Sequence, residues 1–516
     1  MCKNPRRSVL PGIFILCNLK SQVLTNSKAV TNENLYKIAN KLFRIVKKIL
    51  KLLTSRMVII GVALLLEFCW LAGIVMQLNE KSVYINYAVT ILSLIAVLSI
   101  INNPKMNPGY KLMWAVCILA LPVTGICLYG ILGHSSVARK FRTHYDTVLL
   151  SQGGVLGEEE ETRKKLEEEN ILAAGQSSYL TNYAHYPVYE NTETEYYPLG
   201  DVWFEHFIEE LKKAEHYIFM EYFIISEGYL WDTVLEILKE KAAAGVDVRL
   251  IYDDFGCVTT LPYQYYKSLQ QMGIKCAAFN QFRPVLNVIL NNRDHRKIAV
   301  IDGHTAFTGG INLADEYINR KERFGHWKDS GICLHGEAVW SFTVMFLQMW
   351  STITGMECDF ESYRPEIYHK EAFKKDGFVQ PYGDSPLDGE TVGEHVYLNI
   401  ISQAKKYLYI FTPYLIPDNE TLTALCMAAK RGVDVRIVTP GIPDKKIVYI
   451  LTQANYEILL ESGVQIYQYT PGFIHSKSFV CDDEVATVGT INMDYRSMYL
   501  HFECGVWMYG SSAVAR

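Results

Sequence analysis

The chain has 516 residues, enough for two or three domains, and its content of 49% hydrophobic and 20% charged residues excludes a largely disordered protein. The net charge of −5 is uneven, because the first 56 residues carry twelve Lys or Arg and one acidic residue, which leaves −16 for the remainder. A basic amino end favours anionic lipid headgroups, and an acidic remainder argues against a nucleic-acid groove. We therefore expect a membrane partner and no nucleic-acid partner.

Residues 1–56 include a segment whose apolar residues recur at helical spacing. These apolar residues are Leu35, Ile38, Leu42, Ile45, Ile49 and Leu52. Lysine and arginine occupy other positions around the same helix, which is typical of an amphipathic helix lying in a membrane interface. The basic region therefore predicts binding to a membrane surface.

Three apolar stretches occupy residues 57–135: Met57 to Gln77, Val83 to Ile101 and Leu112 to Leu132. Each is long enough to span a bilayer, so we predict transmembrane α-helices and a multi-pass protein of the cell membrane. Glu67 would then have to face another helix. Three spans would put the two ends of the region on opposite sides, yet basic residues flank both ends. The sequence favours a cytoplasm-facing catalytic domain and leaves the number of true spans open.

Residues 136–185 predict a charged linker, and their charge-dense part, Glu158 to Glu169, favours an exposed linker or a surface helix. Beyond it, short motifs recur and divide the chain into two halves, residues 186–370 and 371–516. The repeated motifs are Ala214 to Phe219 with Ala404 to Tyr409, Gly245 to Arg249 with Gly432 to Arg436, and Gly273 to Lys275 with Gly463 to Gln465. Strands alternating with helices predict two α/β lobes, and their duplication predicts a pseudo-twofold axis with a site at the seam.

One motif occurs in each half and carries the chemistry. A His, a Lys, an Asp, a Gly and an Asn stand at the same intervals in both copies: His295, Lys297, Asp302, Gly309 and Asn312, and His475, Lys477, Asp482, Gly489 and Asn492. In the first copy, Ile298 to Ile301 predicts a strand and Asp302-Gly303 a hairpin turn. Alternate strand residues point the same way, so His295 and Lys297 share one face.

An imidazole, an ammonium and a carboxamide together suit a phosphoryl centre. Lysine and asparagine can hold non-bridging oxygens, while imidazole acts as a nucleophile or proton donor. With two copies, one imidazole can attack phosphorus while the other protonates the leaving alkoxide. A metal site is disfavoured, because a lysine between the candidate ligands repels a cation and no zinc-type spacing accompanies it. A structural coincidence is disfavoured because five positions recur twice.

The doubled His-x-Lys-(x4)-Asp-(x6)-Gly-x-x-Asn pattern resembles the phospholipase D superfamily. Longer runs resemble its bacterial cardiolipin synthase branch: Asn292 to Lys297, Gly309 to Tyr317, Thr412 to Pro417 and Gly489 to Ser497. The resemblance extends from about residue 83 to the end. It implies two phospholipase D-like lobes preceded by membrane helices, a phosphohistidine intermediate, and no metal or other cofactor. It also implies a further stretch after Arg516, so a shortened second lobe is expected.

The resemblance assigns a role to each matched residue. The predicted catalytic residues are His295, Lys297, Asp302, His475, Lys477 and Asp482, of which the two aspartates mainly shape the hairpin turns. The predicted substrate-binding residues are Asn312, Asn492, Gly310 and Thr490. A supporting carboxylate is expected to hold each histidine from within its own lobe: Asp329 for His295 and Glu503 for His475.

The reaction implied by the resemblance joins two phosphatidylglycerol molecules into cardiolipin and releases glycerol. Phosphatidylglycerol and other anionic phospholipids are then the expected partners. His295 is the expected nucleophile and His475 the acid and base, although near-symmetry leaves the order open. Two alternatives remain. One is a phospholipase D-type hydrolase that uses water as acceptor. The other is a catalytically silent membrane scaffold, which the intact histidines and lysines disfavour and the implied shortening slightly favours.

Overall fold

A computed structural model describes residues 56–75, 80–104, 106–133, 136–151, 154–157, 160–281 and 292–516. The amphipathic helix predicted upstream of residue 56 lies outside these residues. The chain divides into two compact units, residues 1–134 and 135–516. Each unit has a hydrophobic core of its own.

The first unit is helical over its described residues. Its helices are α1 (Arg56–Val75), α2 (Glu80–Ile101), α3 (Pro108–Ala120) and α4 (Pro122–Leu128), followed by a π-helical turn at Tyr129–Gly133. The third apolar stretch is thus divided at Pro122, whose ring removes a backbone donor. Glu67 is buried and accepts a hydrogen bond of 2.7 Å from the backbone N–H of Thr124, so it faces another helix. None of the described helices combines the length and apolarity needed to cross a membrane, and the three spans stay a prediction.

The second unit begins with the segment predicted to be a linker, which instead forms three helices. These are α5 (Ser136–Ser151), α6 (Glu160–Glu169) and α7 (Ile171–Asn182). Leu166, the one apolar residue of α6, is fully buried in a core shared with the second lobe. On α5, the Tyr145 ring lies 5.5 Å from the ring of Phe502. Apolar contacts therefore dock this charge-rich segment on the lobes.

The first lobe holds one seven-stranded sheet. Its elements are β1 (Thr192–Tyr197), α8 (Gly200–Lys213), β2 (Tyr217–Tyr222), α9 (Tyr229–Ala243), β3 (Asp247–Asp253), α10 (Tyr265–Gln271), β4 (Lys275–Phe279), β5 (Arg293–Asp294), β6 (Lys297–Ile301), β7 (Thr305–Gly309), β8 (His326–Lys328), β9 (Gly331–Gly336), α11 (Val339–Thr354) and α12 (Pro365–Tyr368), with 3₁₀ turns at Asp315–Ile318 and Glu361–Tyr363. The strand order is β1-β9-β7-β6-β2-β3-β4.

The second lobe repeats this plan. Its elements are β10 (Phe378–Asp384), α13 (Val392–Gln403), β11 (Tyr407–Phe411), α14 (Asn419–Lys430), β12 (Asp434–Pro440), α15 (Lys446–Ala454), α16 (Tyr456–Glu461), β13 (Gln465–Tyr469), β14 (Gly472–Ile474), β15 (Ser478–Cys481), β16 (Val485–Gly489), α17 (Tyr495–Tyr499) and β17 (His501–Tyr509). Its strand order, β10-β17-β16-β15-β11-β12-β13, matches that of the first lobe position by position. The predicted α/β duplication is confirmed.

A layer of apolar side chains lies between the two sheets. Helix α11 contributes most to it, with thirteen of its sixteen residues buried. The same core contains residues of β2 and β6 from the first lobe and of β16 and β17 from the second. Strand β2 is buried at all six positions because side chains cover both of its faces, as expected for the centre of an α/β sheet.

Two short strands pair across the seam between the lobes. Strand β5 of the first lobe runs parallel to β17 of the second, with Arg293 opposite His501. In the reciprocal pair, β14 of the second lobe runs parallel to β8 of the first, with Phe473 opposite Trp327. Each crossing strand directly precedes the histidine of its own lobe, so the exchange carries both histidines into the seam. This reciprocity is what a pseudo-twofold relation requires.

Candidate active site

The predicted hairpins are confirmed as β6–β7 and β15–β16. Asp302 and Asp482 turn them in the left-handed region, with φ of 49° and 57°. The carboxylate of Asp302 accepts hydrogen bonds of 2.7–2.8 Å from three successive backbone N–H groups, those of residues 215–217. Asp482 does the same for residues 405–407. Both aspartates therefore fasten a hairpin to the start of its central strand, at the opposite end of β6 or β15 from the histidine.

His295 follows β5 and is held by the second lobe. Its backbone N–H donates to the carbonyl of Phe502 at 2.9 Å, and its Nδ1 lies 2.9 Å from Oε2 of Glu503. Glu503 is completely buried, and the same Oε2 accepts a hydrogen bond from the hydroxyl of Thr490. A carboxylate bound to Nδ1 leaves the lone pair on Nε2, which is the arrangement a nucleophilic imidazole needs.

His475 follows β14 and is held by the first lobe. Its backbone N–H donates to the carbonyl of Lys328 at 2.7 Å, and its Nδ1 lies 2.7 Å from Oδ2 of Asp329. The other oxygen of Asp329 accepts the backbone N–H of Ser330 at 2.8 Å. Gly310 lies against the same carboxylate, since a Cβ there would stand 2.0 Å from Oδ1 of Asp329. Each histidine thus forms a dyad with a buried carboxylate, His295 with Glu503 and His475 with Asp329.

The pairing of histidines and carboxylates is the reverse of the sequence prediction. Asp329 was expected beside His295 and Glu503 beside His475, but each carboxylate binds the histidine of the other lobe. The prediction was wrong because the crossing strands β5 and β14 carry each histidine out of its own sheet. Neither lobe contains a complete dyad of its own.

Burial keeps both imidazoles uncharged. It lowers the pKa of His475 to about 4, aided by the nearby charge of Lys477 and opposed by Asp329. Burial likewise holds the pKa of His295 well below its usual range, although Glu503 opposes it. Burial also raises the pKa of Asp329, but His475 and Lys477 outweigh it, so this carboxyl stays ionised. Each histidine therefore presents a neutral ring to the site at neutral pH.

The two lysines of the motifs are buried in the same seam. Lys297 Nζ donates to the carbonyl of His295 at 2.6 Å, and Lys477 Nζ donates to that of His475. Burial lowers the pKa of Lys297 to about 8 and that of Lys477 to about 7, against the pull of Glu503 and Asp329. Lys297 also contributes to lowering the pKa of His475, so the charges of the two motifs act on each other across the seam.

The predicted substrate-binding residues are buried close to the dyads. The amide oxygen of Asn312 accepts the backbone N–H of Ile224, and its amide nitrogen donates to the hydroxyl of Tyr317, which leaves one N–H for a ligand. Asn492 donates to Ser497, and its amide oxygen has no hydrogen-bond partner within the described ranges. Thr490 binds Glu503 by a hydrogen bond, and the lack of a side chain at Gly310 leaves space for Asp329.

Aromatic residues that the sequence reasoning missed surround each histidine. The ring of Phe223 lies 4.8 Å from that of His295, and the ring of His501 lies 5.5 Å from it. Beside His475 the corresponding ring is Trp327, at 5.6 Å. His501 and Trp327 each stand two residues before the carboxylate that holds the neighbouring histidine. This spacing relative to the carboxylate is a signal visible in the sequence, although one position holds a histidine and the other a tryptophan.

Comparisons with known proteins agree with this architecture. A family model described as a cardiolipin synthase, phospholipase D-like domain matches residues 207–350 and 397–516, and one described as a phospholipase D-nuclease N-terminal domain matches residues 91–134. The chain is 35% identical to a cardiolipin synthase of Alkalihalophilus pseudofirmus, covering 82% of this chain and 84% of that one. It is 45% identical to an uncharacterized protein of Streptococcus mutans, covering 80% and 89%. A crystal structure of phosphatidylserine synthase from Haemophilus influenzae shares the fold, with a TM-score of 0.50 at 16% identity over 66% of this chain and 87% of that one.

Proposed function

We propose that this chain, which belongs to the phospholipase D-like family of cardiolipin synthases, joins two phosphatidylglycerol molecules into cardiolipin and releases glycerol. Membership of the family makes it a phospholipid phosphatidyltransferase. The choice of donor and acceptor and the covalent intermediate are the proposal. The observation that carries it is the pair of buried imidazoles, each bound at Nδ1 by a carboxylate of the opposite lobe.

In the first step, Nε2 of His295 attacks the phosphorus of one phosphatidylglycerol. A P–N bond forms, the P–O bond to glycerol breaks, and protonated His475 gives its proton to the departing oxygen. The negative charge of the bound phosphodiester favours protonation of His475, and burial makes the resulting imidazolium a strong acid. Free glycerol leaves, and the phosphatidyl group stays on His295.

In the second step, neutral His475 takes the proton from a hydroxyl of a second phosphatidylglycerol. The oxygen attacks phosphorus, the P–N bond breaks, and cardiolipin forms with His475 protonated for the next cycle. Lys297 and Lys477 stabilise the charge on the non-bridging oxygens, and the remaining amide N–H of Asn312 is a further donor to them. A buried ammonium is effective here because little water screens it.

We propose that the lobes work against a membrane, as the apolar stretches of the amino-terminal region and the exposed face of α15 suggest. Ile447, Ile450 and Leu451 are at least half exposed on this helix, and Lys445 and Lys446 stand at its start. Just before α15, the backbone N–H groups of Gly441 and Ile442 donate to the carbonyl of Gly472 in β14. Strand β14 leads directly into His475. Exposed apolar side chains beside lysines suit an anionic lipid surface, and we assign that surface to the cytoplasmic side of the cell membrane.

The test is a product assay with purified full-length protein and phosphatidylglycerol labelled in both its glycerol and acyl groups, in mixed micelles. We expect cardiolipin and glycerol in equal amounts. Phosphatidate without cardiolipin would identify a hydrolase instead, and the absence of any product would identify a scaffold. A variant with both histidines changed to alanine, checked for folding by circular dichroism, provides the background.

A further inference from the structure

The His295 dyad has a neighbour that the reaction does not use. His501 is buried, with 9% of its surface exposed, and neither of its ring nitrogens has a hydrogen-bond partner among the residues that the structure describes. Its Nδ1 lies 3.6 Å from Oε1 of Glu503, too far for a hydrogen bond, and that oxygen also has no hydrogen-bond partner in the described part of the chain. Buried polar atoms without partners are costly, so three of them in one place call for a physical explanation.

In the corresponding half of the site, no carboxylate oxygen is left without a partner among the described residues. Asp329 uses both of its oxygens, one for His475 and one for the backbone of Ser330. The residue that corresponds to His501 there is Trp327, whose indole nitrogen is also without a partner among the described residues but carries a proton and has no lone pair for a metal ion. An unpaired carboxylate oxygen next to an unpaired imidazole is therefore found on the His295 side and not at the matching positions beside His475 in the described part of the chain.

We propose that His295, His501 and Glu503 form a binding site for a first-row transition-metal ion such as Zn²⁺, and that the ion inhibits the enzyme. The three residues are buried, and one ligand atom of each lies within 4.8 Å of the others. Two imidazole nitrogens and a carboxylate oxygen are ligands that Zn²⁺ prefers, whereas Mg²⁺ and Ca²⁺ prefer oxygen alone. The ion would satisfy the free carboxylate oxygen and one nitrogen of His501.

Inhibition follows from where the proton of His295 would go. The nitrogen of His295 that faces Glu503 is Nδ1, and a metal bound there displaces the proton that Nδ1 shares with the carboxylate. The neutral ring then carries its proton on Nε2, which has no lone pair left to attack phosphorus. This consequence rests on the proposed function, whereas binding of the ion does not. The positive charges of Lys297, Arg293 and Arg496 act on His501 and weaken the site by repulsion, so we expect the ion to bind reversibly.

The experiment measures binding and inhibition separately on the full-length protein in detergent. Chelator-treated protein is dialysed to equilibrium against a fixed concentration of free Zn²⁺ and analysed for bound metal, without any lipid. We expect His501→Asn and His501→Phe, of which the second preserves an aromatic ring, to bind one zinc ion fewer per chain than the unsubstituted protein. His335→Asn is the matched control, because His335 lies within 6 Å, ring to ring, of His304 and His369 in a separate histidine cluster. Equal zinc content in the unsubstituted protein and both His501 variants overturns the proposal.

The second measurement is the phosphatidyl transfer rate at increasing Zn²⁺, with each variant normalised to its own rate in chelator. Substitution of His501 should raise the half-inhibiting concentration at least tenfold, while the His335→Asn variant and added Mg²⁺ should leave the curve unchanged. A difference in zinc content without any difference in inhibition overturns the inhibitory role. If no variant shows transfer under any condition, the proposed function fails while the zinc content still decides whether the site exists.

Discussion

The two lobes have the same strand order but hold unequal halves of the site. In the half around His475, the short carboxylate of Asp329 lies against Gly310, and a backbone N–H satisfies its second oxygen. In the half around His295, the longer Glu503 is held by a hydroxyl from Thr490 and leaves one oxygen unsatisfied. Duplication therefore preserved the topology of the lobes, while the environments of the two imidazoles diverged. Divergence of this kind lets one histidine act as nucleophile and the other as acid.

Removal of either imidazole should lower the phosphatidyl transfer rate more than any other change to the two halves of the site. His295→Ala and His475→Ala should each lower the transfer rate by at least about 10³-fold, or roughly 4 kcal/mol, because each removes a group that no other side chain replaces. A single turnover with labelled phosphatidylglycerol then separates the roles. Labelled protein should form slowly but persist in the His475→Ala variant, because His475 acts in both steps, and it should be absent from His295→Ala. The opposite result would exchange the two roles, and full activity in either variant would exclude this chemistry.

The turn aspartates should affect stability in the same way in both lobes. Asp302→Ala removes the acceptor of three backbone N–H groups and places alanine at a positive φ, so we expect the free energy of unfolding to fall by about 3 kcal/mol. Asp482→Ala should cost a similar amount. Asp302→Asn, which tolerates the left-handed backbone and keeps one acceptor, should lose less. Denaturant unfolding measures all three, and a loss of under about 0.5 kcal/mol for Asp302→Ala would refute the proposed fastening role.

Replacement of each carboxylate by an amide should show which histidine that carboxylate holds. Asp329→Asn weakens His475, so transfer should fall by about 100-fold while labelled protein still accumulates. Glu503→Gln weakens His295, so a similar loss should come without labelled protein. Pairing within each lobe predicts the reverse pattern. Rapid quenching followed by gel analysis of the label decides between them.

The buried lysines should give a smaller, pH-dependent effect. Lys477 loses its charge near pH 7 and Lys297 near pH 8, so kcat/KM should fall about tenfold between pH 6.5 and 9. The unfolded lysines keep their protons up to about pH 10.4, so the contribution of both groups to folding stability should rise over the same range. In Lys477→Arg the guanidinium stays charged, and the alkaline limb of the profile should move upward. An unmoved limb in both this variant and Lys297→Arg would assign it to other groups.

Much of the fold could be predicted from the sequence because its signals are local. The hairpin turn at Asp302-Gly303 is encoded in two residues, and the β-branched run before it predicts β6. The duplication was visible because matched motifs recur in the same order. A surface helix was one of two predictions for the charge-dense part of residues 136–185, but its packing on the lobes was not predicted, since one buried leucine among many charges is a weak signal.

The crossed dyads could not be predicted, because they depend on contacts between distant segments. The strands β5 and β14 have two and three residues, too few for a periodic pattern. The sequence has the same residue types at the same spacing whether each carboxylate binds the histidine of its own lobe or that of the other lobe. The near-symmetry of the motifs therefore does not distinguish the two pairings. Gly310 carried the best clue, since a glycine beside the motif marks a close approach of another chain segment.

The exchange of β5 and β14 also bears on how such a chain can arise. A single lobe contains one histidine and one carboxylate that belong to different dyads, so alone it could complete neither. Two copies of one lobe, associated about a twofold axis, would complete two equal dyads at once. An ancestor with one lobe would therefore have been active only as a homodimer. Fusion of two such genes would then free each copy to change separately, which is the condition under which a tryptophan and a histidine can come to occupy equivalent positions.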